Sequence, residues 1–301
     1  DREHAVGALR ASVRVDTAAG PVTLTSGAAD RDFGAWAFYG TRFPDQKEST
    51  RTRSLRLFAD LALGGGWSLA PSAAVRTHHD DFVLVRTDPD FYRNVTDTDR
   101  TAFRLVARHA LLGGTLAVGG EAGKDSLEST NLGDHGRARQ AAFVELGRPF
   151  STSSPSAGGF RAGLRLDHYD EFGSRVSPQA GAWLALGKEV RARASFGTAF
   201  RVPTFTELYY ADPQTIGNPG LTPEKATNVE AGLTWGRGPV TIDAAVFQRH
   251  GTDMIDFVRS SPSEAWRATN IRTVDTFGFE GTVSLEPARV ARSPLTRLAL
   301  R

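Results

Sequence analysis

Apolar and polar residues alternate along most of this chain. In Phe160-Arg161-Ala162-Gly163-Leu164-Arg165-Leu166-Asp167 one face reads Phe, Ala, Leu, Leu and the other Arg, Gly, Arg, Asp. In Ser54-Leu55-Arg56-Leu57-Phe58-Ala59-Asp60-Leu61 the faces are Leu, Leu, Ala, Leu and Ser, Arg, Phe, Asp. Val240–Val246 and Phe277–Leu285 repeat the pattern. Period two predicts β-strands with one apolar and one polar face. Roughly fourteen such segments recur, each about ten residues long, which is the length a tilted strand needs to cross a bilayer.

The connections sort the architectures. Gly64-Gly65-Gly66, Gly113-Gly114, Gly187-Lys188 and Gly236-Arg237-Gly238-Pro239 read as tight turns. Between them lie long polar stretches near 27–50, 76–100, 124–137, 168–178, 201–227 and 251–276. Short and long alternate, apart from a Ser/Gly-rich link near 148–159. Alternation of faces by itself fits a sandwich or small barrel as well as a wide membrane barrel. A sandwich distributes its loop lengths less regularly, and a propeller would repeat a blade motif that is absent from this sequence. The pattern predicts an all-β, antiparallel up-and-down transmembrane β-barrel. Its tight turns lie at the periplasmic end and its long loops at the extracellular end. The apolar face then meets lipid and the polar face lines the lumen.

Composition narrows the function. A chain of 301 residues with 40% hydrophobic content and a mean hydropathy of −0.30 has bulk numbers like those of soluble proteins. No window reaches the roughly 18 apolar residues of a membrane helix, which excludes helical spans and leaves strands untouched. The net charge of +2 makes no single-sign field for nucleic acid. Arg51, Arg53 and Arg56, with Arg191 and Arg193, sit in alternating segments and read as lumen or rim charges. With no Cys there is no disulfide, thiolate catalysis or Cys-ligated zinc. No Gly-x-Ser-x-Gly elbow, His-Glu-x-x-His or P-loop is present, so no catalytic residue and no cofactor is expected. The polar opening Asp1-Arg2-Glu3-His4 is not a signal peptide. The chain reads as an interior portion of a longer protein or as a processed form.

Several residues are candidates for chemistry. His78, His79, Asp80, Asp81, Asp88, Asp90, Asp97 and Asp99 are read as one long loop. So many oxygen ligands could hold calcium, but the spacing is not that of an EF-hand, and a solvated loop is the reading adopted. The loop aromatics Trp36, Phe38, Tyr39, Phe91, Tyr92, Tyr209 and Tyr210 are the ligand-binding candidates, because exposed rings supply contact area at low entropic cost. Arg165, Glu230 and Glu280 fall on polar faces and are candidates to line the lumen or meet a plug.

Two motifs carry a family resemblance. Phe200-Arg201-Val202-Pro203, Glu207-Leu208-Tyr209, Gly217-Asn218-Pro219, Leu221-Thr222-Pro223-Glu224-Lys225 and Asn228-Val229-Glu230-Ala231-Gly232 resemble a motif of TonB-dependent outer-membrane receptors. Downstream, Asn270 followed by Gly278, Glu280 and Gly281 resembles the family's Asn and Gly-x-Glu-Gly elements. The likeness is sharp over residues 191–285 and architectural elsewhere. Physically, Pro203 ends a strand ladder by removing a donor. Thr222, Pro223 and Glu224 read as an N-cap, a proline at the first helical position and an acid in the first turn, so one helical turn is expected there. Loop architecture and direct ligand contact both stand open for the motif residues Arg201, Pro203, Gly217, Asn218, Pro219, Pro223 and Glu224.

The resemblance implies active uptake of a scarce metal-containing chelate across the outer membrane of a Gram-negative bacterium. The implied partners are the TonB complex, acting through a plug domain that this chain lacks, together with the chelate and outer-membrane lipid. Full members have 22 strands, so residues 1–301 are expected to be a partial barrel domain without its closing strands. Asp32–Gly40 with Lys47–Arg51, and the compact Gly217–Lys225 stretch, resemble cobalamin-type receptors. A ferric siderophore is the other substrate class. A passive porin and a barrel-type hydrolase are the rival functions.

Overall fold

The computed structural model describes residues 4–35, 43–111, 113–212, 214–286 and 298–300. The alternating segments form β1 (His4–Thr17), β2 (Gly20–Gly34), β3 (Lys47–Ala59), β4 (Leu61–Gly64), β5 (Trp67–Val83), β6 (Arg93–Leu111), β7 (Gly114–Ser129) and β8 (Gly133–Pro149). They continue as β9 (Gly158–Tyr169), β10 (Gly173–Leu186), β11 (Val190–Arg201), β12 (Thr215–Ile216), β13 (Glu224–Arg237), β14 (Val240–Val258), β15 (Trp266–Leu285) and β16 (Leu298–Leu300). The helical content among the described residues is one short helix, α1 (Phe205–Tyr209), and a 3-10 turn at Pro155–Ala157.

All these strands belong to one 16-stranded sheet in which successive long strands pair antiparallel. β4 carries the pairing of β3 with β5 past Asp60, and β12 lies parallel to β15. Among the described residues β1 and β15 do not pair with each other, so the sheet is a barrel wall that is not closed.

Glycine sets the turns. Gly64, Gly65 and Gly66 have φ of 81, 59 and 80°, a left-handed run in which a side chain would be strained. The same conformation recurs at the opposite end. Gly133 and Gly173, with φ of 79° and 66°, close two hairpins through residues 130–132 and 170–172 alone. The long connections expected at 124–137 and 168–178 are therefore tight turns on extended strands. β14 and β15 hold 19 and 20 residues, about twice what a bilayer crossing needs. Their far halves stand in water, and polar residues there occupy both faces. His79–Asp97 (2.8 Å) and His250–Asp275 (2.6 Å) pair in line with the apolar face.

The pairing register fixes the faces. Directly opposed residues share a face. Leu57 opposes Leu24 and Ala73, Leu164 opposes Val144 and Pro178, and Ile242 opposes Trp235 and Val283. Arg165 opposes Phe143 and Ser177, Arg193 opposes Trp183 and Gly232, and Asp243 opposes Thr234 and Thr282. One face is thus a continuous field of Leu, Val, Ile and Phe, and Leu55, Leu164, Leu166 and Val246 are all exposed on it. The chain exposes 19230 Å², against roughly 12,000 Å² for a compact chain of its mass. A bare apolar field of this extent is a lipid-facing surface.

Candidate functional site

The polar face is held by ion pairs within the wall. Arg165 reaches Asp167 and Glu121, each at 2.8 Å, and Glu121 also pairs with Arg104 at 3.0 Å. Arg193 binds Asp243 at 2.6 and 2.8 Å and approaches Glu230 at 3.4 Å, while Thr234 donates to Asp243 at 2.6 Å. Glu230 and Glu280 both line a recess on this face with Arg161, Gln179 and Asn228.

The connection between β11 and β13, described over residues 202–212 and 214–223, folds inward over the polar face as a strap. Thr204 caps α1 through a capping box: its hydroxyl accepts from Glu207 N at 3.2 Å, and Glu207 Oε2 accepts from Thr204 N at 2.7 Å. Arg201 then grips both ends of the strap. It binds Glu207 at 2.8 and 2.9 Å and Glu224 at 2.6 Å. Burial alone would raise the Glu207 carboxyl, but the Arg201 fork and the Thr204 bonds outweigh it and lower the pKa. The Glu224 carboxyl is lowered chiefly by Arg201, with a second bond from Ile255 N at 2.8 Å.

This clasp explains why no helix forms at Thr222. Thr222 N donates to Asn270 Oδ1 and its carbonyl accepts from Asn270 Nδ2, both at 2.9 Å, which holds the backbone extended. Glu224 starts β13 instead of standing in the first turn of a helix. The capping sequence used is Thr204-x-x-Glu207, eighteen residues upstream.

Gly217 and Asn218 complete the strap. A Cβ on Gly217 would fall 2.8–2.9 Å from the backbone of Leu208 and Tyr209. Asn218 donates from its backbone to Glu207 O at 2.8 Å and from Nδ2 to Ala268 O at 3.2 Å. Leu208, Leu221 and Ala268 form a small buried core with Phe172, Tyr209, Ile255 and Phe257 packed on it. At its other flank the strap reaches β8. Tyr209 stacks on His135 at 3.6 Å, and Arg137 Nη1 donates to Pro203 O at 2.8 Å. The strap therefore spans from β8 to β15, across β9, β10, β11, β13 and β14.

The strap and two other connections bring tyrosines together. Tyr210 donates to Asp212 Oδ2 at 3.0 Å, and Tyr92 accepts from Asn131 Nδ2 at 2.9 Å. Burial, then the adjacent Tyr92 and Asp212, push the Tyr210 phenol well above its usual range. Phe91 packs on Phe43 at 5.6 Å and is 58% exposed. Tyr209, by contrast, anchors the strap through His135 and the small core. Trp36, Phe38 and Tyr39 lie outside the described residues. Asn131, Asp212, His135 and Arg137 had no motif to mark them; only the tertiary fold places them here.

The acidic run is not a loop. His78 to Asp81 belong to β5, and Asp97 and Asp99 to β6, so only residues 84–92 connect the strands. His78 and Asp80 point to one face and His79 and Asp81 to the other. Asp80 is raised to about 6 by burial and by the nearby Glu48.

Comparison with known proteins places this wall. The family model described as "TonB dependent receptor-like, beta-barrel" matches residues 5–299. The chain belongs to that family. Such barrels lie in the outer membrane of Gram-negative bacteria. The vitamin B12 transporter BtuB of Vibrio vulnificus strain YJ016 is 31% identical over 171 residues, covering 55% of this chain and 27% of that protein. The ferric enterobactin receptor PirA of Pseudomonas aeruginosa is 25% identical over 242 residues, covering 68% and 30%. The crystal structure of the siderophore receptor PirA from Pseudomonas aeruginosa aligns with a TM-score of 0.75 at 16% identity, over 93% of this chain and 53% of that one. PirA from Acinetobacter baumannii aligns with a TM-score of 0.75 at 15% identity, over 95% and 51%. The chain thus spans about a third or less of these curated relatives and about half of the solved chains.

Proposed function

We propose that residues 1–301 form part of the barrel of an outer-membrane receptor that imports a scarce metal-containing chelate with TonB-supplied energy. The plug domain and the closing strands belong to other parts of the complete protein. Vitamin B12 is the first substrate class and a ferric siderophore the second, following the BtuB and PirA relatives. The chain itself is assigned no catalytic role.

The observation that carries this reading is the strap. A passive pore needs only width and a ring of charge at its constriction. Here a connection of 22 residues is clasped at both ends and laid across the polar face, and it presents Tyr210 toward Tyr92. Amphipathic rings with fixed hydroxyls suit capture of a bulky ligand. Arg165, Glu230 and Glu280 then face the lumen, where a plug would lie.

The test is radiolabelled vitamin B12 and ferric enterobactin on cells expressing the complete protein, with and without a working TonB system. Binding is expected to survive loss of TonB and uptake to stop. Uptake that continues unchanged without TonB would make the protein a passive porin.

A further inference from the structure

Four arginines of the polar face pair with carboxylates of the wall: Arg100 with Asp125, Arg104 with Glu121, Arg165 with Asp167, Arg193 with Asp243. Arg137 on β8 does not. It is 6% exposed, and its described partners all lie in connections. Nη1 donates to Pro203 O at 2.8 Å, Nε and Nη2 meet Glu171 at 3.1 and 3.0 Å, and the guanidinium lies over the rings of Phe172 (5.0 Å) and Phe205 (4.8 Å). A planar fork can donate at its edge while stacking on aromatic rings; an ammonium cannot.

We propose that Arg137 is the positioning residue of the ligand-capturing surface, clamping the start of the strap so that Tyr210 is held facing Tyr92. This rests on the reading of the chain as a chelate receptor. The clamp acts through α1. Pro203 and Phe205, which Arg137 touches, bracket the Thr204 cap, and the last helical bond runs from Tyr210 N to Thr206 O at 3.1 Å. With both ends of one capped turn fixed, Tyr210 has little freedom left. Glu171 and Phe172 belong to the 170–172 turn, so the same guanidinium also ties that turn to the strap. Arg137 itself is too buried to meet a ligand, and it acts on binding only through the segment it holds.

The experiment uses the complete receptor in outer membranes. This chain has no Cys, so Tyr210→Cys, with any cysteine elsewhere in the protein changed to Ser, supplies one reporter thiol for an impermeant maleimide. Arg137→Ala is expected to speed its labelling about fivefold or more by freeing the strap. In the receptor that keeps Tyr210, Arg137→Ala is expected to raise the apparent KM for vitamin B12 or ferric enterobactin uptake about tenfold, with the maximal rate changed less than about threefold. A role confined to barrel assembly would lower the maximal rate and leave KM alone. Unchanged labelling together with unchanged KM overturns the proposal. If Arg137→Ala does not reach the membrane, Phe205→Leu removes one ring contact, keeps the ion pair, and is read the same way. If the unsubstituted receptor takes up neither probe, the receptor reading fails, and the labelling rates still decide the role of Arg137.

Discussion

At Gly217 the motif reads directly as physics. The glycine has an ordinary φ, so backbone conformation is not what requires it. The requirement is space: any Cβ meets the main chain of Leu208 and Tyr209, which cannot move aside as a flexible side chain would. Gly217→Ala should lift the strap from α1 and cost about 1–3 kcal/mol of its local stability. Gly7→Ala, where a Cβ meets nothing within 4 Å, should stay within about 0.5 kcal/mol. Limited proteolysis of the strap in the assembled receptor checks both. Equal cleavage of the two variants would mean that Gly217 is not a packing residue. Asn218 and Asn270 act alike, since each satisfies backbone groups of the strap or its neighbours. The motif therefore marks loop architecture at these positions.

At the scale of single elements, β9 offers a test within one strand. Leu164 is 48% exposed on the lipid face, whereas Arg161 is on the polar face with its side chain 68% exposed and a 3.3 Å contact to Glu145. Leu164→Arg should cost roughly 2–4 kcal/mol if it lies near mid-bilayer, and Arg161→Gln no more than about 0.5 kcal/mol. Refolding titrations into lipid vesicles would measure the difference, and similar costs would contradict the facing. The strap offers a second test, by pH. The Glu207 and Glu224 carboxyls titrate below their ordinary range in the folded state. Their stabilisation is therefore complete above the unfolded carboxylate pKa, about 4.3, and is lost as pH falls through the lowered folded values. Protection of the strap from hydrogen exchange should be the same at pH 7 and pH 5 and should fall below about pH 4. Loss of protection already between pH 7 and pH 5 would put some other group in charge of the clasp. Strand existence and facing were legible in sequence because period two survives every turn. Strand ends were not: beyond the bilayer both faces meet water, so the alternation fades near Asp97 and Asp134 although the ladder of hydrogen bonds continues. The helix was misplaced because Thr222-Pro223-Glu224 reads as a helix start while the bonds from Asn270 hold that backbone extended; the Thr204-x-x-Glu207 capping box that marks the observed helix was present in the sequence.

Across the whole molecule, the open edge of the wall decides how residues 1–301 behave by themselves. β1 pairs with β2 along its full length, His4–Thr17, and no described strand covers its other edge. Every residue of β1 is exposed. Its lipid-face residues Leu9, Val13 and Val15 are 71, 61 and 56% exposed. In hydrocarbon such an edge leaves backbone donors and acceptors with no partner, at several kcal/mol each. In water it is a template for pairing with another copy. An isolated chain has two outlets, closing on itself or stacking edge to edge. Closing would force a sheet shaped for a 22-stranded ring into a much narrower one, against the outward packing of the Leu and Val rows. Expressed alone, residues 1–301 should therefore aggregate or need denaturant. They should not show the heat-dependent shift in gel mobility of a closed barrel, whereas the complete protein should. A monomeric, heat-modifiable product from residues 1–301 alone would mean that β1 and β15 find each other, and that this wall is a barrel in its own right.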